Sequence, residues 1–196
     1  MLDLNSKYFH FIGGYNNINI NKNITKLNSI LGNGYILSRE KQLSLLKNDF
    51  SNSGNNWNGD KFISICKIGK CDDNYESDYE NAYDLFCYNG AISIILNEDV
   101  IYSNKRRNYW HMQGEVQIKD MINSEYFSGV GLQFNSYYDL LLNKYTNKEK
   151  LEILKKDVNL YQKVLEITNK YNINLYALNN GENALSYLNK EKTMIK

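Results

Sequence analysis

The chain has 196 residues, 42% of them apolar, and a formal net charge of +1. That length and apolar content suit one folded domain with a single core rather than a disordered chain, and the near-neutral balance lacks the electrostatic footprint of a dedicated duplex-binding protein. No apolar run is long enough to cross a membrane as a helix, and the opening Met1-Leu-Asp-Leu-Asn-Ser6 does not read as a secretory signal.

A cytoplasmic protein, or one delivered into the cytoplasm of a target cell, is therefore expected. The cysteines are Cys66, Cys71 and Cys87. Their odd number and the lack of a CxxC pair argue against a disulfide framework and against zinc, so no metal is expected. The 17 tyrosines, the absence of proline and the abundance of Asn, Lys and Ile make any single Tyr, Asn or Lys a weak functional clue.

In chain order, Tyr8-Phe-His-Phe-Ile12 reads as a strand that ends at Gly13-Gly14. Ile24, Leu27, Ile30 and Leu31 recur at helical spacing, and Gly32 and Gly34 are expected to stop that helix. Tyr35-Ile-Leu-Ser38 reads as a short extended segment. Residues 47–60 are polar and turn-rich, a loop long enough to carry function. Phe62-Ile-Ser-Ile-Cys66 reads as a strand, 67–77 as a second polar stretch, and 79–86 as a short helix. Ala91-Ile-Ser-Ile-Ile-Leu96 reads as a buried strand and Gly114-Glu-Val-Gln-Ile-Lys119 as an alternating one.

The stretch 120–147, rich in aromatics, shows no clear period. From about 148 to 171 the apolar positions Leu151, Leu154, Val158, Tyr161, Val164 and Leu165 follow helical spacing, and 173–178 closes with a strand. Together these elements predict one α+β domain over 1–196, built on a mixed or antiparallel sheet with flanking helices.

The order of the segments resembles the ADP-ribosyltransferase superfamily, in its PARP-like and DarT-like branch. Tyr8-Phe-His-Phe-Ile12, the helix ending Ser29-Ile-Leu-Gly32, and Tyr35-Ile-Leu-Ser-Arg39 are similar to the opening of those enzymes. Gly59-Asp-Lys-Phe-Ile-Ser-Ile-Cys66 is similar to the second core strand, and Asn81-Ala-Tyr83 to the helix whose aromatic residue faces nicotinamide. Gly114-Glu-Val-Gln-Ile-Lys119 with the later Glu125-Tyr126 resembles the late strand that brings the catalytic glutamate and the turn after it.

The resemblance covers roughly residues 7–130 and implies a split sheet and NAD as a substrate. Two departures stand out. Ile12-Gly13 follows where DarT-type toxins often carry Thr, and Gln113-Gly-Glu115 looks like the Gln-x-Glu element of the toxin-like branch, whose first-strand Arg and Ser-Thr-Ser strand are not evident here.

Within that frame Glu115 is the expected catalytic carboxylate. Cleavage of the bond from nicotinamide to ribose develops an oxocarbenium-like cation, and a carboxylate on the ribose 2'-hydroxyl stabilises it. Gln113, two residues earlier and so on the same strand face, is expected to orient the acceptor. The resemblance implies His10 on the adenosine ribose, the backbone near Ile12 on the nicotinamide amide, Arg39 on the pyrophosphate and Tyr83 stacked on nicotinamide, with Ser38 and Ser64 as weaker binding candidates. The blander readings are a core histidine, a solvated arginine and an exposed strand carboxylate. His111 has no assigned role.

Gly13-Gly14 lacks the spacing of a dinucleotide-binding or P-loop motif, and Asp72-Asp73 with Glu76 and Asp78 fits no EF-hand. The expected activity is mono-ADP-ribosylation of a macromolecule by a toxin, effector or phage or defence factor. The near-neutral charge and Gln113 favour a protein acceptor. The DarT-like pattern, with Lys105-Arg106-Arg107 as a local basic cluster, keeps a nucleic-acid base as the alternative. A related RNA 2'-phosphotransferase would need more basic residues about the site. A non-catalytic binding protein would use 47–60 and 124–138 as its surface.

Overall fold

A computed structural model describes residues 3–12, 20–46, 61–68, 92–102, 106–108, 115–133 and 147–178. The loop 47–60, the helix expected at 79–86, Gln113, Tyr83 and His111 lie outside the described residues.

The described residues form an α+β fold. Its strands are β1 (Tyr8–Ile12), β2 (Tyr35–Leu37), β3 (Phe62–Lys67), β4 (Ile92–Leu96), β5 (Arg106–Asn108), β6 (Glu115–Lys119), β7 (Met121–Asn123), β8 (Phe127–Leu132) and β9 (Leu175–Ala177). Its helices are α1 (Ile20–Asn33), α2 (Arg39–Leu46) and α3 (Asn147–Lys170). Seven strands make the main sheet in the order β5-β6-β3-β1-β4-β8-β9, and β2 pairs with β7 in a small second sheet. Every pairing is antiparallel except β8 with β9, so the main sheet is mixed. No described helix is long and apolar enough to cross a membrane.

Alternation along the strands gives the sheet two different faces. Tyr8 and Ile12 of β1, Ile63 and Ile65 of β3, Ile92, Ile94 and Leu96 of β4, and Val130 and Leu132 of β8 join one core, covered by Leu27 and Ile30 of α1 and Leu160 and Val164 of α3. The opposite face carries a smaller apolar cluster of Phe9, Cys66, Ile95 and Leu178. Such double burial explains why β4 reads Ile-Ser-Ile-Ile-Leu, nearly continuous in apolar residues, and is buried along its whole length.

Beside the short strands β5 and β7, which the sequence does not announce, three elements depart from the sequence expectation. Helix α1 runs through Gly32 and ends only before Gly34, whose φ of 76° takes the left-handed turn that closes the helix, with its N–H on the Ile30 carbonyl at 2.9 Å. Helix α2 was not expected. Its leucines fall at 43, 45 and 46 and do not gather into a sustained apolar stripe, and Leu43 and Leu45 are exposed. The third is β8, inside the stretch without a clear period. Its sequence Phe-Ser-Gly-Val-Gly-Leu hides the strand because Gly129 leaves room for the Tyr176 ring, which a Cβ would meet at 2.5 Å.

Candidate active site

The three strands on which the sequence expectation depends are neighbours. β6, β3 and β1 lie side by side, although β1 precedes β3 by about fifty residues and β3 precedes β6 by a similar distance. Between β1 and β3 the ladder holds only Tyr8↔Lys67 and Phe9↔Cys66, whereas β1 continues against β4 as far as Ile12↔Ile92. The β1–β3 pairing therefore ends one residue before His10, and the strands part there.

At that point the His10 side chain takes over the connection. Its Nδ1–H donates to the backbone carbonyl of Ser64 on β3 at 3.0 Å. A carbonyl only accepts, so the neutral ring carries its proton on Nδ1 and leaves Nε2 as an acceptor. Burial, and secondly the positive charge of Lys26 on α1, push the His10 pKa from 6.5 down to about 4, against the pull of the Ser64 hydrogen bond. The imidazole is therefore neutral at pH 7 and can accept a hydroxyl proton at Nε2.

Glu115 opens β6 and is 6% exposed. Carboxylates are rarely buried this far unless they are held by partners. Gln117, equally buried, donates from Nε2 to Glu115 Oε1 at 3.2 Å. In the register Glu115 stands opposite Cys66 and Gln117 opposite Ser64. Glu115, Gln117, Ser64 and Cys66 thus share one face, which is also the face of Phe9. The Cys66 thiol is buried and points its hydrogen at the Phe9 carbonyl, 3.7 Å away.

His10 belongs to the other face, toward α1. Sequence reasoning missed Gln117 and Lys26. The alternation that put Gln113 beside Glu115 applies equally to Gln117, two residues on the other side.

The remaining candidates lie elsewhere. Ser38 is 1% exposed and caps α2, its Oγ facing the Lys41 N–H at 3.4 Å and its carbonyl accepting the Gln42 N–H at 2.9 Å. Its own N–H donates to Asp120, the residue just after β6, at 2.8 Å. Arg39, half-buried, begins α2. Ser38 and Arg39 therefore sit at the end of β6 remote from Glu115, roughly 14 Å away along four strand residues. The Ile12 side chain is fully buried in the main core, which leaves only its backbone for a ligand. Residues Arg106 and Arg107 form the edge strand next to β6, with Arg107 opposite Gln117.

No known protein family, curated protein or solved structure matches the chain.

Proposed function

We propose that this chain is a mono-ADP-ribosyltransferase that uses NAD as its donor substrate and modifies a macromolecule, with a protein side chain as the favoured acceptor. The observation that carries this reading is the adjacency of β1, β3 and β6, with the ladder open at His10 and a buried, amide-held carboxylate at Glu115.

In this reading NAD is held by residues on both faces of β1, β3 and β6, near the end of the β1–β3 ladder. Its adenosine ribose meets Nε2 of the neutral His10 on the α1 side, its pyrophosphate lies toward Arg39, and its nicotinamide ribose meets Glu115 on the far face. Strand alternation gives His10 and Glu115 to different faces, so the two ends of the donor have to reach both. Glu115 accepts the ribose 2'-hydroxyl and stabilises positive charge as the C1'–nitrogen bond breaks. Nicotinamide leaves with the bonding pair, the acceptor forms the new bond to C1', and the acceptor's proton passes to solvent or a nearby base.

The test is NAD consumption by the purified chain and by Glu115→Gln. Consumption by the wild type that Glu115→Gln abolishes supports the reading; a folded wild type that neither binds millimolar NAD nor consumes it fits a non-catalytic binding protein instead. A nucleic-acid base is the second acceptor, favoured by the basic strand Arg106–Asn108 paired with β6. Labelled NAD incubated with a cell lysate, followed by separate protease and nuclease digestion, decides between the two. Label that survives protease and is lost to nuclease means a nucleic-acid acceptor.

A further inference from the structure

Helix α1 closes on Asn33-Gly34, a pair with a reaction of its own. Glycine has no Cβ to shield its backbone nitrogen, so that nitrogen can reach the side-chain amide carbon of the asparagine before it. The Gly34 nitrogen then bonds to Asn33 Cγ, its proton is lost, and the side-chain nitrogen leaves as ammonia. Water opens the resulting cyclic imide. Opening at the main-chain carbonyl gives isoaspartate, in which the chain runs through the former side chain; opening at the other gives aspartate. Asparagine is thermolabile in this way without any oxidant, cofactor or second protein.

The fold holds both reacting groups back. The Gly34 N–H donates to the Ile30 carbonyl at 2.9 Å, so its proton is not free to leave. Asn33 Nδ2 donates to Ser29 Oγ at 3.1 Å, which turns the amide back along the helix and away from Gly34. Asn33 is nevertheless exposed to water and stands in the last turn of α1, and helix ends are where local opening costs least.

A change here reaches beyond the helix. Gly34, at φ 76°, turns the chain from α1 into β2, and its carbonyl accepts the Ser124 N–H at 2.8 Å, just after β7. The next residue, Tyr35, pairs with Asn123. Isoaspartate adds a methylene to the main chain at this joint, so Gly34 can no longer hold Ile30 and Ser124 in their present geometry. Aspartate leaves the backbone as it is and places a negative charge at the negative end of the helix.

We propose that Asn33 is a site of spontaneous deamidation gated by opening of the last turn of α1, and that its isoaspartate product uncouples α1 from the β2–β7 sheet. Neither NAD nor the transferase reading enters into it.

The experiment is peptide mapping of the whole chain by mass spectrometry, after ageing at mildly alkaline pH in native buffer and in concentrated urea. The same sequence pair recurs at Asn58-Gly59, Asn89-Gly90 and Asn180-Gly181, whose conversion in urea shows that the conditions drive the chemistry. In native buffer acid should still form at residue 33, at least about tenfold more slowly than in urea, and urea below the unfolding transition should speed it. The isoaspartate form, separated by chromatography, should melt below both the unmodified chain and Asn33→Asp. Equal rates at residue 33 in native buffer and in urea overturn the gate. Asn33 left intact in native buffer long after the unfolded chain has converted fully overturns the site. An isoaspartate form that melts with the unmodified chain overturns the uncoupling.

Discussion

Gln117 holds Glu115 from two residues along the same strand, amide nitrogen to carboxylate oxygen at 3.2 Å. The pair makes the carboxylate a directed group rather than a mobile one. Glu115→Gln is nearly isosteric, so the fold and NAD affinity should persist while turnover falls by about 100-fold or more, the scale of one lost transition-state contact. Gln117→Leu should lower kcat by about tenfold with KM for NAD little changed, since it disorients the carboxylate and leaves it in place. Steady-state kinetics on both variants check this, and unchanged turnover in Glu115→Gln would mean that another acid does the work.

His10 ties stability to pH. Its folded pKa of about 4 lies below the ordinary 6.5, so the unfolded chain binds more protons between those values. The stabilisation is fully present above pH 6.5 and is lost as pH falls toward 4. From His10 alone the fold should be about 2 kcal/mol less stable at pH 5 than at pH 7. His10→Gln can still donate to the Ser64 carbonyl but does not titrate. Denaturant titrations of both proteins at the two pH values should show the variant's pH dependence flatter by that amount, and parallel curves would place the proton elsewhere.

Ser38 begins α2 as its cap. Ser38→Ala should cost about 1 kcal/mol, and Ser38→Gly only a few tenths, because glycine also tolerates the cap position. Urea unfolding measures the difference. A rise in KM for NAD in Ser38→Gly, with stability retained, would give the hydroxyl a ligand role as well.

The main core predicts a contrast between two leucines. Leu27 of α1 is fully buried against the sheet, whereas Leu45 of α2 is 62% exposed. Leu27→Ala should destabilise by about 2–5 kcal/mol, and Leu45→Ala should stay within about 0.5 kcal/mol of the wild type. If Leu45→Ala instead costs as much as a core residue, that face of α2 is covered in the folded chain.

The strands with strong apolar runs were legible because burial on one or both faces writes itself into the residues: β1, β3, β4 and β6 fall within a residue or two of the expected segments. Helix α3 was legible from Val158, Tyr161, Val164 and Leu165, which follow the helical period. What failed was structure whose cause lies far away in the chain. The β8 glycines make sense only once Tyr176 is known to pack on Gly129 and Ser93 and Leu178 on Gly131, and α2 only once Ser38 is known to be held by Asp120. The site divides in the same way. Alternation nominates Glu115 with both Gln113 and Gln117; the hydrogen bond brings in Gln117, and Gln113 lies outside the described residues. The bond between His10 and Ser64 spans 54 positions and depends on where a ladder stops, which no local pattern encodes.

The position of β1 also bears on how the molecule is made. It is the earliest of the described strands, and both of its partners, β3 and β4, come much later. At a synthesis rate of about 5–20 residues per second, Ile12 waits roughly 4–17 s before Leu96 has been added. Until Lys67 has been added, Tyr8-Phe-His-Phe-Ile12 is a sticky segment with a partner strand for neither edge, and until Leu96 one edge still lacks its partner. Such segments are where aggregation starts and where chaperones bind, so the yield of folded protein should depend more on how fast residues 13–96 are translated than on any later codon.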